Sequence, residues 1–356
     1  MSAHSQWIDR LHQGETLSAG EFAELIDRRT PELSEYLFSQ ARRVSRARFG
    51  NQIFTRGLIE ISSFCKNNCR YCGIRRGNPN AQRYRLSEEE ILSCCDMGER
   101  LGYKTFVLQG GEDAFFTDGR LIPLIQEIKR RHPDCALTLS LGERSRESYQ
   151  ALFDAGADRY LLRHEAADPQ LYRALHPSEM KWENRVRCLY DLKEIGYQVG
   201  AGFMVGAPGQ TSRHLARDLC FLAELRPQMV GIGPFVPHHD TEYRDRPAGS
   251  VELTLFLLGL IRLMLPDVLL PATTALGTVC PDGRERGVLA GANVVMPNLS
   301  PAEVRKKYSL YDNKLSTGAE DAGHWSELQA RMQAIGYELT SQRGDAPGYG
   351  NKNRPS

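Results

Sequence analysis

The sequence predicts an α/β protein built on a complete (β/α)8 TIM-type barrel, with helical extensions at its N- and C-terminal ends. Three observations carry that expectation: eight short β-branched or apolar runs, amphipathic helical patterns between them, and polar residues gathered where each run ends. Strands separated by helices pair in parallel through right-handed crossovers, and eight such units close a barrel. A doubly wound open sheet is the competing architecture. The 356 residues suit one large barrel or two smaller domains, because length sets only a loose bound.

Two or three helices come first, in an N-terminal extension over residues 1–50. One, near 19–28, opens with Ser18 and Glu21 spaced as a capping box; the next has Thr30 as N-cap, Pro31 at its first position and Gly50 as its stop. The barrel follows over 51–300, with strands expected at 57–62, 105–109, 136–141, 159–164, 198–205, 229–233, 268–274 and 292–296. Helices fall between them at 88–101, 121–131, 144–155, 182–195, 212–225 and 251–265, the first of these capped by Ser87 with Glu90 three residues later. Residues 301–356 form a C-terminal extension that closes the barrel, and the last dozen, rich in Gly, Asn and Pro, read as a frayed tail.

Lys plus Arg number 45 against 44 for Asp plus Glu, so the net charge of +1 leaves no footprint for nucleic acid. The most apolar stretch, 253–265, contains Arg262 and stops at Pro266, short of the roughly 20 residues that span a bilayer. It reads as a core helix, and no membrane partner is expected. Residues 1–9 lack the apolar segment of a secretory signal, so a reducing cytoplasm is expected and the nine cysteines call for a use other than disulfides.

Residues just past the strands line the active mouth of such a barrel. They include Cys65, Cys69 and Cys72 after the first strand; Gly110, Gly111 and Glu112 after the second; Ser140 and Glu143 at the third; and Arg163, His164 and Glu165 at the fourth. Met204 stands at the fifth, His238 and His239 after the sixth, Thr273 and Thr274 at the seventh, and Met296 at the eighth. Cys65-Lys-Asn-Asn-Cys69-Arg-Tyr-Cys72 is the strongest signal: one loop turns three thiolates inward and supplies no fourth local ligand. A structural zinc calls for a fourth Cys or His, and the nearest histidines in sequence are His12 and His132. The spacing favours a 4Fe-4S cluster with an open iron over zinc or unreactive buried thiols, and Lys66, Arg70, Arg75 and Arg76 offset its charge. No spacing ties Cys94, Cys95 or Cys280 to a metal. His238 and His239 read as part of a solvent loop and receive no role.

The C-x3-C-x-aromatic-C pattern after a first barrel strand resembles the radical S-adenosylmethionine (SAM) superfamily. That resemblance implies that Cys65, Cys69 and Cys72 are the metal ligands and catalytic centre, and that the open iron chelates the amino and carboxylate groups of SAM. An electron from the cluster then cleaves the sulfonium to methionine and a 5′-deoxyadenosyl radical. Further segments narrow the resemblance: Gly57-Leu-Ile-Glu-Ile-Ser-Ser-Phe-Cys65, Leu108-Gln-Gly-Gly-Glu112, Leu162-Arg-His-Glu165, Glu183-Asn-Arg185, Gly202-Phe-Met-Val-Gly-Ala-Pro-Gly-Gln-Thr211, Gly231-Ile-Gly-Pro-Phe235, Pro271-Ala-Thr-Thr-Ala275 and Ala292-Asn-Val-Val-Met-Pro-Asn298. Together, over roughly 55–315, they resemble the HydE family of iron-iron hydrogenase maturation, whose near relatives are biotin synthase and methylornithine synthase. Pro271 to Ala275 and Tyr308-Ser-Leu-Tyr311 favour HydE. Some HydE proteins carry further cysteines for a second cluster; this chain has none after Cys280, so a single cluster is expected.

The resemblance also implies roles for residues that have plainer readings. Gly110 and Gly111, otherwise a tight turn, let backbone approach the methionine amino group beside Glu112. Glu165 and Arg185, otherwise surface charges, reach ribose or ammonium and clamp the carboxylate respectively, with Met204 completing the cofactor site. Strand alternation sends one of Arg163 and His164 inward, and Arg163 is assigned to the cavity. Ser140, Arg163, Thr273, Thr274, Met296 and Tyr308 line a substrate chamber, where local hydrogen bonding, β-propensity and core packing are the alternatives. The implied activity is that of a monomeric enzyme acting on an iron complex of carbon monoxide, cyanide and cysteine, with other hydrogenase maturation proteins and an electron donor such as ferredoxin or flavodoxin as partners. The rivals are an amino-acid mutase like methylornithine synthase and a non-catalytic iron-sulfur scaffold.

Overall fold

Six parallel strands, Gly57–Ser62, Thr105–Gly110, Ala136–Ser140, Arg159–Leu161, Gln198–Ala201 and Met229–Val230, hydrogen-bond in sequence order. The computed structural model describes residues 3–316, 318 and 321–349. Parallel bridges from Met229 to Leu269, Pro271 to Val294 and Leu58 to Asn298 carry the ring through two more strands and back to the first. The sheet therefore closes into an eight-membered barrel, and the open doubly wound alternative falls.

Several expected strands are shorter than their apolar runs. The seventh shrinks to bridges at Leu269 and Pro271, because proline has no N–H to give and Thr274 already begins a helix, Thr274–Val279. The fifth breaks at Gly202 into Gln198–Ala201 and Met204–Val205, the latter paired with Gly233–Pro234. The fourth ends at Leu161, which releases residues 163–165 into the mouth. A strand that periodicity did not announce, Gln52–Thr55, pairs with Val294–Val295 on one side and Glu338–Thr340 on the other.

The helices sit close to where capping places them. Ser18 and Glu21, and Ser87 and Glu90, form reciprocal capping boxes at Ala19–Asp27 and Glu88–Arg100. Thr30 accepts from Leu33 N–H at 3.2 Å to open Pro31–Phe49. Helix Val251–Met264 is buried almost throughout, and its Arg262 donates to the carbonyls of Gly291, Pro266 and Val268 at 2.8–2.9 Å. Among the described residues no helix is long and apolar enough to cross a membrane.

The far end of the barrel is floored by the C-terminal segment. Arg159, fully buried, donates to Thr105 Oγ1 at 3.2 Å, to the carbonyls of Arg343 and Gly344 at 2.9 and 3.0 Å, and to Asp345 Oδ1 at 2.8 Å. Gln198 donates to Asp345 at 2.7 Å and accepts from Ala346 N–H, while Arg343 reaches Asp158 at 2.6 Å. The frayed tail expected from residue 345 is thus corrected at its start, where composition says loop but a buried arginine fixes the chain. Residues 350–356 of that expected tail lie outside the described residues.

Candidate active site

The cysteine loop leaves the first strand and is held by backbone bonds to three other parts of the mouth. Lys66 N–H donates to Glu112 O at 2.9 Å, Arg70 N–H to Leu175 O at 3.0 Å and Gly73 N–H to Leu310 O at 2.9 Å. A Cβ on Gly111 would stand 2.2 Å from Phe64 O and 2.8 Å from Cys65 Cβ, so only glycine lets the second strand's end pass this closely beneath the loop. Burial pushes the thiols of Cys65, Cys69 and Cys72 upward; neighbouring cysteines add to it at Cys69 and Cys72, and Cys72 rises to about 12. As free thiols they keep their protons, and a metal assembly must displace them.

Their spacing discriminates between assemblies. Around a single tetrahedral zinc, Zn–S bonds of ~2.3 Å put sulfurs about 3.8 Å apart. Among the described residues only His238, His239 and Asp312 bring three donor atoms within 4.8 Å of one another, so the three cysteines stand wider than one ion needs. Three spread thiols without a fourth partner suit the corners of a cubane cluster with one open iron.

Beside them lies a ring of alternating charge. Glu112 faces Lys66 at 3.2 Å and Arg185 at 3.7 Å; Arg185 donates through Nε to Glu143 at 2.6 Å and through Nη1 to Arg163 O at 2.6 Å. Arg185 projects from the first turn of helix Trp182–Ile195 and is buried. Burial opposes its charge, but Tyr172, Glu143 and Glu112 outweigh that and hold it above its ordinary value. Glu143, to which the sequence reading gave no role, is joined to this ring and to Asn184. The only signal for it was its place at a strand end.

Arg163 Nη2 and Glu165 Oε2 form a buried ion pair at 3.0 Å that does not align as a hydrogen bond, and Arg163 Nε has no hydrogen-bond partner among the described residues. His164 turns the other way, 3.2 Å from fully buried Asp218. Glu165 is held at φ 63°, a left-handed conformation costly for a non-glycine residue, by its N–H to Gly202 O at 3.0 Å. Met204 packs with Met180, Tyr172 and Phe235, and Cys69 and Tyr71 rest on the same apolar cluster.

The expected chamber residues occupy different depths. Ser140 ends the third strand half-buried, in register with Gln109 of the second strand, whose next residue, Gly110, is half-buried too. Thr273 caps helix Thr274–Val279, and its Oγ1 is buried without a partner. Met296 packs deeper, against a cluster of Phe54, Met229, Leu269 and Val294. Tyr308 is buried, with Lys314 Nζ 5.0 Å over its ring; Lys314 pairs with fully buried Glu60. At the floor end, just before the first barrel strand and near Arg159 and Asp345, sequence reasoning missed Arg56, 5% exposed, whose Nη1 meets Met229 Sδ at 2.9 Å while Nε and Nη2 have no hydrogen-bond partner among the described residues. Burial drives its pKa well below the ordinary arginine value, and Arg159 adds to the effect. A lone arginine in an apolar strand was the available signal.

The solvent-loop reading of His238 and His239 is corrected for His238, which is buried because the C-terminal segment covers it: Asp312 N–H donates to Pro237 O at 3.0 Å. The two rings stack at 4.4 Å and His239 Nδ1 lies 2.6 Å from Asp312. His238 Nδ1 accepts from Asp240 N–H at 3.1 Å, so in the neutral ring Nε2 carries the proton and offers a metal no lone pair. The trio works as a hydrogen-bonded latch.

The family model of the radical SAM superfamily matches residues 59–222. The FeFe hydrogenase maturase subunit HydE of Thermotoga maritima is 47% identical over 288 residues, covering 81% of this chain and 82% of that protein. The chain belongs to the radical SAM superfamily and, within it, to the HydE family. HydE similarity extends to a wider circle: 3-methylornithine synthase of Methanosarcina barkeri is 29% identical over 94% of this chain and 93% of its own. A crystal structure of methylornithine synthase (PylB) superposes with a TM-score of 0.82 at 27% identity, covering 94% of this chain and 97% of that one. As a radical SAM enzyme of the HydE type, the protein works with a 4Fe-4S cluster and SAM.

Proposed function

We propose that this protein matures the iron-iron hydrogenase by acting on an anionic iron-carbonyl-cyanide-cysteine precursor, with Cys65, Cys69 and Cys72 holding one 4Fe-4S cluster. Bound together, the reduced cluster and SAM supply a 5′-deoxyadenosyl radical. The chain's own residues enclose and orient: Gly110 and Gly111 admit the methionine end, Arg185 takes the carboxylate, Glu112 and Glu165 face the ammonium or ribose, and Met204 packs beneath. The observation that carries the substrate reading is Thr273 Oγ1, buried without a hydrogen-bond partner among the described residues, together with Arg163, whose Nε is likewise unpartnered and whose Nη2 meets only Glu165 at 3.0 Å. Cationic and hydroxyl donors suit cyanide nitrogen and cysteine carboxylate, while Met296 and Tyr308 offer apolar faces to carbonyl ligands. Ser140 and Thr274 complete the chamber in this reading.

The protein is read as a cytoplasmic monomer that receives its substrate from a partner maturase and its electrons from a ferredoxin or flavodoxin. A mutase acting on lysine is the second reading, favoured by the methylornithine synthase superposition and by Glu165, a carboxylate suited to an ammonium. The test supplies reduced, SAM-loaded enzyme with L-lysine or with the iron–cysteine product of the tyrosine-cleaving maturase. SAM consumption is expected only with the iron complex, and is lost in Thr273→Val/Thr274→Val with the cluster intact. Methylornithine formed from lysine overturns the substrate and leaves the radical chemistry standing.

A further inference from the structure

Tyr172 sits on helix Pro169–Leu175, which follows the fourth strand and is capped by Asp168, whose Oδ1 accepts from the N–H groups of Gln170 and Leu171 at 2.8 and 2.9 Å. Its side chain is fully buried. The ring stacks on His176 at 4.0 Å, and the Arg185 guanidinium lies 6.0 Å from its centre. Its hydroxyl has no hydrogen-bond partner among the described residues. Burying such a donor unpaired costs stability, and natural cores rarely tolerate it without a reason.

A second tyrosine in the same site makes the contrast. Tyr71 places its hydroxyl 3.2 Å from His176 Nε2, and His176 Nδ1 lies 2.8 Å from Tyr172 O. A carbonyl can only accept, so Nδ1 carries the proton, Nε2 is the acceptor and Tyr71 donates to it. One phenol is tied off by the protein; the other is left open. The polar groups that act on the open one are Arg185, Glu143, Cys69 and Glu112, which surround the place where the carboxylate clamp meets the cysteine loop.

We infer that Tyr172 is a further cofactor-binding residue, donating its O–H to the carboxylate at the amino-acid end of SAM beside Arg185. The inference rests on the reading of the mouth as the cofactor site. A phenol O–H and a guanidinium can share one carboxylate, whereas an ammonium at this point needs an acceptor, a part that Glu112 and Glu165 fill. The missing partner of the hydroxyl is then the ligand itself.

The test uses full-length, cluster-loaded protein and reads binding, not turnover. Tyr172→Phe is expected to weaken SAM binding about tenfold by titration calorimetry, which is about 1.4 kcal/mol, with iron content unchanged. Affinity for 5′-methylthioadenosine, which keeps the nucleoside and lacks the amino-acid end, stays as in the parent. Without ligand, the melting temperature of Tyr172→Phe is expected to equal or exceed the parent's, because the variant no longer buries an unpaired hydroxyl. Unchanged SAM affinity, an equal loss for both ligands, loss of iron or a lowered ligand-free melting temperature each overturns the assignment. Failure of the parent protein to bind SAM overturns instead the reading of the mouth.

Discussion

At the floor of the barrel the buried guanidinium of Arg159 bonds through both terminal nitrogens to Thr105, Arg343, Gly344 and Asp345, while at the mouth Arg163 meets Glu165 at 3.0 Å in an ion pair that does not align as a hydrogen bond. Both arginines belong to the fourth strand's run and lie four residues apart. The floor ties Arg159, Gln198, Arg343 and Asp345 into one hydrogen-bonded network, and such a network rigidifies what it joins, although Arg159 Nε and Arg56 Nε and Nη2 have no hydrogen-bond partner there among the described residues. Unpaired polar atoms at the mouth lower stability, and they persist where a ligand completes them. Hydrogen bonding that joins distant parts of the chain thus gathers at the floor, whereas Arg163 and Glu165 at the mouth are joined by charge alone.

The sharpest way to break this contrast is at the thiols. Replacing Cys65, Cys69 or Cys72 by Ser should abolish a stable cluster, whereas Cys94→Ser, buried in a helix away from the loop, should leave about four irons per chain by metal analysis. A Cys69→Ser protein with full iron and SAM cleavage removes the mouth from the chemistry. Next in size, Asp345→Asn strands the Arg159 charge and should cost about 3–5 kcal/mol in denaturant unfolding with SAM affinity intact. Arg159, Gln198 and Arg343 hold the Asp345 carboxyl below its ordinary value against the opposing effect of burial. A depressed pKa means that this stability is present above the unfolded carboxylate range and is lost as pH falls through the folded value. A variant that keeps its stability and loses cofactor affinity reverses the division of labour.

Arg185→Ala is the complementary case, expected to weaken SAM binding by roughly 1.5–3 kcal/mol while iron stays. Unchanged affinity transfers the carboxylate to another cation. The smallest effect belongs to the latch. Asp312 raises the pKa of exposed His239 above its ordinary value, so the His239–Asp312 contact is fully present below pH 6.5 and weakens as pH rises through the raised pKa. Amide exchange at Gly73, which donates to Leu310 O, and at Asp312 should quicken between mildly acidic and alkaline pH, and Asp312→Asn should flatten that dependence.

The barrel was legible because each helix carries its own boundary chemistry, as at Ser18 with Glu21 and Ser87 with Glu90, and because strand runs alternate with those helices. The cysteine loop was legible because one segment carries all three thiols. Gln52–Thr55 and Glu338–Thr340 were not, since two short runs almost 290 residues apart carry no local sign that they pair. Glu143 and Arg56 escaped for a related reason: nothing in a strand's own sequence says that a carboxylate will meet Arg185 from another element, or that an arginine will face inward with two nitrogens free. Tyr172 has a periodic, helical, apolar-looking context, and only the absence of a partner sets it apart.

The order of synthesis gives the floor a further meaning. Its parts are made far apart in translation: Gln52–Thr55 emerges before any of the six main barrel strands, and the segment from Glu338 to Ala346 emerges after the eighth strand is complete. A nascent chain arrested between those points exposes the Arg159 charge and one edge of Gln52–Thr55, a combination that invites pairing with other chains. Sealing of the barrel therefore waits for residues 338–346 to leave the ribosome, and a nonsense codon near residue 335 should yield an aggregation-prone product even though every cysteine of the loop is already in place.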